Sequence, residues 1–188
     1  ATCGTFLSAL ANLSRTLRAH SAGLDGRLAL SVDAGTWMTC PVPGPSCMHI
    51  AFNGTRKSVA QHVVDIADHV QIMDYDTTAP KIIERAAPFF EYADSIGKVN
   101  SVVVGLAVAG YPAPSEWYQL KDETALSAMM LQLQPTLEKH PSFRGFAVFD
   151  SVSWQQSSAH APAPASTVFL PTASWGVGSG NMLVLNRT

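Results

Sequence analysis

Four apolar runs, separated by stretches of helical periodicity, constrain this chain more than any other feature. They are "RLALSV" at 27–32, "HVQIMDY" at 69–75, "SVVVGLAVAG" at 101–110 and "FRGFAVFD" at 143–150. Each is a continuous block, not an apolar–polar alternation, which is how strands read when both faces are covered. Helix patterns lie before and between them. Residues 5–20 carry Phe6, Leu10, Leu13 and Leu17 at helical spacing, with Asn12 off that face. Ser58–Asp68 brings Val59, Val63 and Ile66 together. A third helix has Thr78 as N-cap, Pro80 in its first turn, and an apolar face of Ile82, Ala86, Phe89, Phe90 and Ala93; Pro88 predicts a kink and Gly97 the stop. The fourth, 122–139, turns Leu126, Met130, Leu133 and Leu137 inward, with a kink at Pro135. A Pro/Gly-rich loop is expected from Gly35 to about Asn53.

Strand–helix alternation predicts an α/β fold with a parallel sheet covered by helices. The choices are a doubly wound sheet and a (β/α)8 barrel. No glycine-rich phosphate loop follows any strand, so dinucleotide binding has no support. A complete barrel takes eight strands and about 250 residues. Four strands in 188 residues amount to half of one. Beyond Trp154 the texture changes to the linker-like "SSAHAPAPAS", followed by "TVFLP" and "NMLVLN". The expected organisation is therefore a barrel half over 1–156 and a linker with a small β appendage over 157–188.

Composition excludes several partners. The 12 Lys and Arg are scattered and the net charge is −2, whereas phosphate backbones select clustered cations; no nucleic acid is expected. The longest apolar runs are about ten residues, against the roughly 20 of a membrane span. The chain opens on Ala1 and not on methionine, as expected of a processed or truncated chain. Cys40 and Cys47 bracket "CPVPGPSC", a stiff loop that suits a small disulfide, with two free thiols as the other reading. Cys3 is then left to pair outside the chain. The spacing fits no zinc site, and no metal or organic cofactor is expected. Sequons occur at Asn12, Asn53 and Asn186. With the proposed disulfide they point to a secreted or cell-surface glycoprotein; chance sequons in a cytosolic protein are the alternative.

The strand ends carry a resemblance. Met73-Asp74-Tyr75-Asp76 is similar to the Met-x-Tyr-Asp motif on the sixth strand of family 18 glycoside hydrolases, the chitinase-like barrels. "VVVGLAVAGY" at 102–111 resembles their seventh strand, and "GFAVF" at 145–149 their eighth, with Phe149 where that family has tryptophan. Longer runs, "IMDYDTTAPKIIERAAPFFEYAD" and "HPSFRGFAVFDSVSW", look like poorly characterised bacterial glycosidase-like barrels related to that group. The resemblance covers about 25–154 and implies the last four βα units of a (β/α)8 barrel. The catalytic signature of the fourth strand, Asp-x-x-Asp-x-Asp-x-Glu, occurs nowhere in the sequence. It implies either a missing N-terminal half or partner chain that completes the barrel, or a non-catalytic descendant.

By this resemblance Tyr75 and Asp76 lie at the barrel mouth and contact the substrate's acyl group and reacting carbon. The competing reading is that Asp76, Thr77 and Thr78 cap the next helix. Asp74, one residue earlier, faces away from Tyr75 by strand alternation and is expected to be buried against a cation or a loop N–H. Asp33, at the end of its strand, is a mouth residue or an Asx-turn. Trp37, Tyr111, Trp117, Phe149 and Trp154 fall at or after strand ends, where rings stack on sugar C–H faces or simply pack the rim. Asp150 is a second candidate acid, and Glu116 favours a helix N-terminus. His62 and His69 are expected at the opposite end, in surface or capping roles. The expected function is a carbohydrate-active, glycoside hydrolase-like protein on an extracellular glycan, its catalytic acid outside this segment; the alternative is a sugar-binding or structural glycoprotein subunit.

Overall fold

The computed structural model of the chain describes residues 3–21, 28–39, 49–108, 120, 123–149 and 182–186. In chain order the elements are α1 (Cys3–His20), β1 (Ser31–Gly35), a short 3-10 turn (Thr36–Thr39), β2 (His49–Phe52), β3 (Thr55–Ser58), α2 (Val59–Ile66), β4 (His69–Met73), α3 (Ala79–Ser95), β5 (Val102–Ala107), α4 (Glu123–Leu137), β6 (Phe143–Phe149) and β7 (Met182–Asn186).

The expected parallel sheet is present: β1, β4, β5 and β6 pair in parallel, each beside its predecessor. Crossovers between parallel strands share one hand, so a sequential order carries the connecting helices to the same face. The helices pack side by side in that series, α1 on α2, α2 on α3 and α3 on α4. Register then sorts the side chains. Val32, Val70 and Val102 form one level and Ala34, Ile72 and Val104 the next, all within the core shared with Leu7, Ile82, Phe89, Phe90, Leu126 and Leu133. By alternation the opposite face takes Asp33, Gln71 and Val103 at one level, and Gly35, Met73, Gly105 and Ala147 at the next.

Several expectations need correcting. The first strand starts at Ser31, not Arg27, because Leu28–Leu30 lies outside the ladder and the Leu30 amide donates to the Asp68 carboxylate. Asp33 is therefore inside β1 instead of at its end. In α1 the buried residues are Leu7 and Ser14, whereas Phe6 and Leu13 are exposed. Leu10 and Leu17 pack against the core as expected, but the stripe passes through Leu7 and Ser14, since Ser14 turns inward to donate to the Ile66 carbonyl at 3.2 Å. The long loop before α2 contains an unpredicted antiparallel hairpin, β2–β3. Its tip is Asn53-Gly54, both at positive φ, and Asn-Gly is the strongest short hairpin signal. The last strand is not a separate appendage: β7 pairs antiparallel with β6 and becomes the fifth strand of the same sheet. "TVFLP" lies outside the described residues.

Helix ends follow local chemistry. Ser58 and Gln61 form a reciprocal capping box at α2, and the Lys98 ammonium reaches the C-terminal carbonyls Val64 and Ala67. α3 runs through Pro88 and ends in a Schellman closure, with Lys98 N–H on the Ala93 carbonyl at 2.9 Å and Gly97 N–H on the Asp94 carbonyl at 3.0 Å. Asp94 then ties this corner to the start of β6, accepting from the Ser142 amide at 3.0 Å and lying 2.7 Å from His140.

Two substitutions test this account by denaturant unfolding. Phe90→Ala, at a side chain with no solvent exposure, should cost about 3–5 kcal/mol. Ser58→Ala should cost about 1 kcal/mol through its cap alone.

Candidate functional site

Beyond Met73 the chain keeps the strand's alternation for three residues, and this divides "DYD". Tyr75 turns to the face away from the core. Its ring stacks on Phe149 at the end of β6, with centroids 5.4 Å apart and planes inclined by 26°. Beneath it lies Gly105. A Cβ there would stand 2.8 Å from the Ile72 carbonyl oxygen, so the close approach of the β4 backbone requires glycine, and the Tyr75 ring lies at ordinary contact distance above it. At the end of β1 the Trp37 indole folds over Gly35, whose Cβ would stand 2.2 Å from the indole nitrogen. Asp33 sits on the same face, one level lower, and is open to solvent.

Four of the expected mouth residues, Asp33, Trp37, Tyr75 and Phe149, therefore share one face. Trp37 is 58% exposed and Phe149 43%, so two aromatic faces meet solvent beside a carboxylate. Burial, with the Asp33 charge second, pushes the Tyr75 phenol up to about 12; Tyr75 stays protonated and can donate. Partial desolvation against the sheet raises the Asp33 carboxyl above its ordinary value. Tyr111, Trp117, Asp150, Trp154 and Glu116 lie outside the described residues, as do Cys40 and Cys47.

Asp74 and Asp76 turn the other way, to the helix layer, and both meet Arg85 of α3. The guanidinium is 3.1 Å from Asp76 Oδ2 and 3.6 Å from Asp74 Oδ1, and both carboxylate side chains are almost wholly buried. Asp76 Oδ1 accepts from the Thr77 amide at 2.7 Å, the Thr78 amide at 3.1 Å and the Thr78 hydroxyl at 3.2 Å. Thr78 holds the N-cap position without a side-chain cap bond of its own; its hydroxyl serves Asp76. Among the described residues no donor lies within 3.5 Å of either Asp74 oxygen, the Arg85 guanidinium standing just beyond. Burial pushes the Asp74 carboxyl up to about 7, against the pull of Arg85 and with the Asp76 charge adding to the rise. The expectation that Asp74 is buried against a cation holds. Arg85 itself was missed, although two carboxylates at a strand end call for a cation on the next helix.

On α2, His62 is buried, its Nε2 3.1 Å from the Ile50 carbonyl and its ring edge-on to Phe52. It latches the hairpin to α2 and is not a surface residue. His69 lies against the Arg144 guanidinium at 2.6 and 2.8 Å, and burial, reinforced by Arg144, lowers its pKa. Among the sequon residues, Asn12 is exposed on α1 and accepts from Arg15. Asn53 is exposed at the hairpin tip. Asn186 is in β7, paired with Gly145.

The Asp74 carboxyl binds its proton more tightly in the folded chain (about 7, against an ordinary 3.8). Between those two values the folded state holds more protons than the unfolded one, so the contribution of this group to stability falls as pH rises from about 4 to about 7. Asp74→Asn should flatten that part of the stability–pH curve and be at least as stable as the parent at pH 8, as measured by urea unfolding across the pH range. No known protein family, curated protein or solved structure matches the chain.

Proposed function

We propose that the face bearing Asp33, Trp37, Tyr75 and Phe149 is a glycan-binding surface, and that the chain is a carbohydrate-active, glycoside hydrolase-like protein built on part of a (β/α)8 barrel. The observation that carries this reading is the Tyr75–Phe149 stack with its exposed edge, beside the exposed Trp37 indole and the Asp33 carboxylate. Pyranose rings offer apolar C–H faces to such rings and hydroxyl groups to such an acceptor. The sequential parallel strand order is that of a barrel wall, and Trp37, Tyr75 and Phe149 lie at or beyond the C-terminal ends of their strands, with Asp33 at the middle of β1, on the side where barrel sites form. Tyr75, as a protonated phenol, supplies a donor to a substrate acyl oxygen. In this reading the general acid of hydrolysis comes from a fourth barrel strand that precedes the present ones, and no metal or organic cofactor takes part. Export to the cell surface or beyond, with glycans at Asn12, Asn53 or Asn186 and a Cys40–Cys47 bridge, belongs to the same proposal.

A second reading, a non-catalytic sugar-binding subunit, draws on two observations. Asp76, the residue matched to the family's Tyr-Asp pair, is engaged by Arg85 and the Thr77 and Thr78 amides. β7 also occupies the edge of β6, where a closed barrel seats its first strand. Binding without turnover fits both.

The test is calorimetric titration of the full chain with N-acetylglucosamine and glucose oligomers, each followed for cleavage. Binding of one series is expected, weakened at least roughly tenfold, about 1.4 kcal/mol, by Trp37→Ala or Phe149→Ala with little change in melting temperature. Released shorter sugars mark the hydrolase reading, and their absence alongside binding marks the second. A chain that binds neither series refutes both.

A further inference from the structure

Tyr75 stands between two carboxylates that point the opposite way, and one guanidinium receives both. We propose that Arg85 is the positioning residue of this surface: held between Asp74 and Asp76, it pins the backbone on either side of Tyr75 and so aims the Tyr75 ring at Phe149. The distances of 3.1 and 3.6 Å both run to the same nitrogen, Nη1, so one group restrains positions i and i+2 about the ring. The chain here is outside the β4 ladder, which ends at Met73, and its backbone bonds among the described residues are short-range, Asp74 N–H to Ile72 O at 3.1 Å and Asp76 N–H to Asp74 O at 3.0 Å. A segment past the last ladder rung is held by its side chains. Those side chains are a buried acidic pair whose net charge requires a cation, since carboxylates taken out of water without one are costly. Arg85 brings that cation from α3, whose neighbouring Ile82, Ala86 and Phe89 are fixed in the core. The Arg85 side chain is 40% exposed, so its stem crosses from the helix surface to the buried pair. A lysine ammonium is more strongly hydrated than a guanidinium, so it is drawn back toward solvent where Arg85 reaches the buried pair.

The proposal rests on the glycan reading only for what Tyr75 is aimed at, and its test separates the two. The full chain, labelled with 3-fluorotyrosine, gives four fluorine resonances, one per tyrosine, assigned by Tyr→Phe substitution. Tyr92, bonded to Lys57 and Asp65, serves as the internal reference. In Arg85→Lys the Tyr75 resonance should shift toward the unfolded position while that of Tyr92 stays, and affinity for the oligosaccharide that binds the parent should fall roughly tenfold. A variant with Asp74→Asn, Asp76→Asn and Arg85→Met removes the cluster's charge altogether and avoids an orphaned acid; it should move Tyr75 in the same way. An unmoved Tyr75 in both variants overturns the proposal. A Tyr75 that moves in a chain whose parent binds no sugar upholds the role of Arg85 and refutes the glycan reading alone.

Discussion

Parallel pairing of four strands in chain order is the constraint from which the rest of the structure follows. Parallel strands need cover on both faces, and the register decides what each face offers. Val32, Val70 and Val102, with Ala34, Ile72 and Val104 above them, give the helices a surface of close-set aliphatic groups. A slip of one residue would send Asp33 and Gln71 into that layer and the valines out of it. The same alternation that builds the core therefore deposits Asp33, Gly35, Gly105 and Tyr75 on the opposite face. The candidate site is the complement of the core in the same register.

The segment after β4 shows what this division does to chemistry. A phenol goes to the face away from the helices, where the Phe149 ring receives it. Two carboxylates go inward, where they share one guanidinium, and Asp76 also takes the Thr77 and Thr78 amides. Two acids against one base leave surplus negative charge in a dry place, and the Asp74 carboxyl responds by holding its proton to near neutrality. Such clusters contribute little net stability, but removing their single cation is expensive. Their value is in fixing the chain's path.

Much of this was legible in the sequence. The continuous apolar runs identified β4, β5 and β6 because burial on both faces leaves no other pattern, and Thr78, Pro80 and Gly97 bounded α3 because caps and stops are local chemistry. The first strand was misplaced because "RLALSV" is as apolar as a strand, and only a tertiary bond from Asp68 shows where the ladder begins. The α1 stripe was misjudged because serine reads as polar, whereas Ser14 is buried by a bond to a carbonyl 52 positions away. The β2–β3 hairpin was overlooked despite its Asn-Gly tip, since the prolines upstream suggested loop throughout. Of the candidate face, Trp37, Tyr75, Phe149 and Asp33 stand out in the sequence because each follows or closes an apolar run. Arg85 does not, because it lies nine residues beyond Asp76 and the two come together only when α3 folds back on the sheet.

The sequential strand order also bears on how the chain is made. Each of β4, β5 and β6 pairs with a strand already synthesised when it appears, and α2, α3 and α4 each dock on the helix before them. Nothing in this part of the sheet has to wait for a distant later segment, so one βα unit after another can settle during N-to-C synthesis, as domains emerging from the ribosome do. The spans closed are alike, 33 residues from β1 to β4, 28 from β4 to β5, 35 from β5 to β6 and 32 from β6 to β7, so no step carries a much larger entropic cost than another. β7 also pairs with the strand made before it, though antiparallel. As the last described strand to be made, it leaves the edge of β6 the last part of the ladder to find its partner.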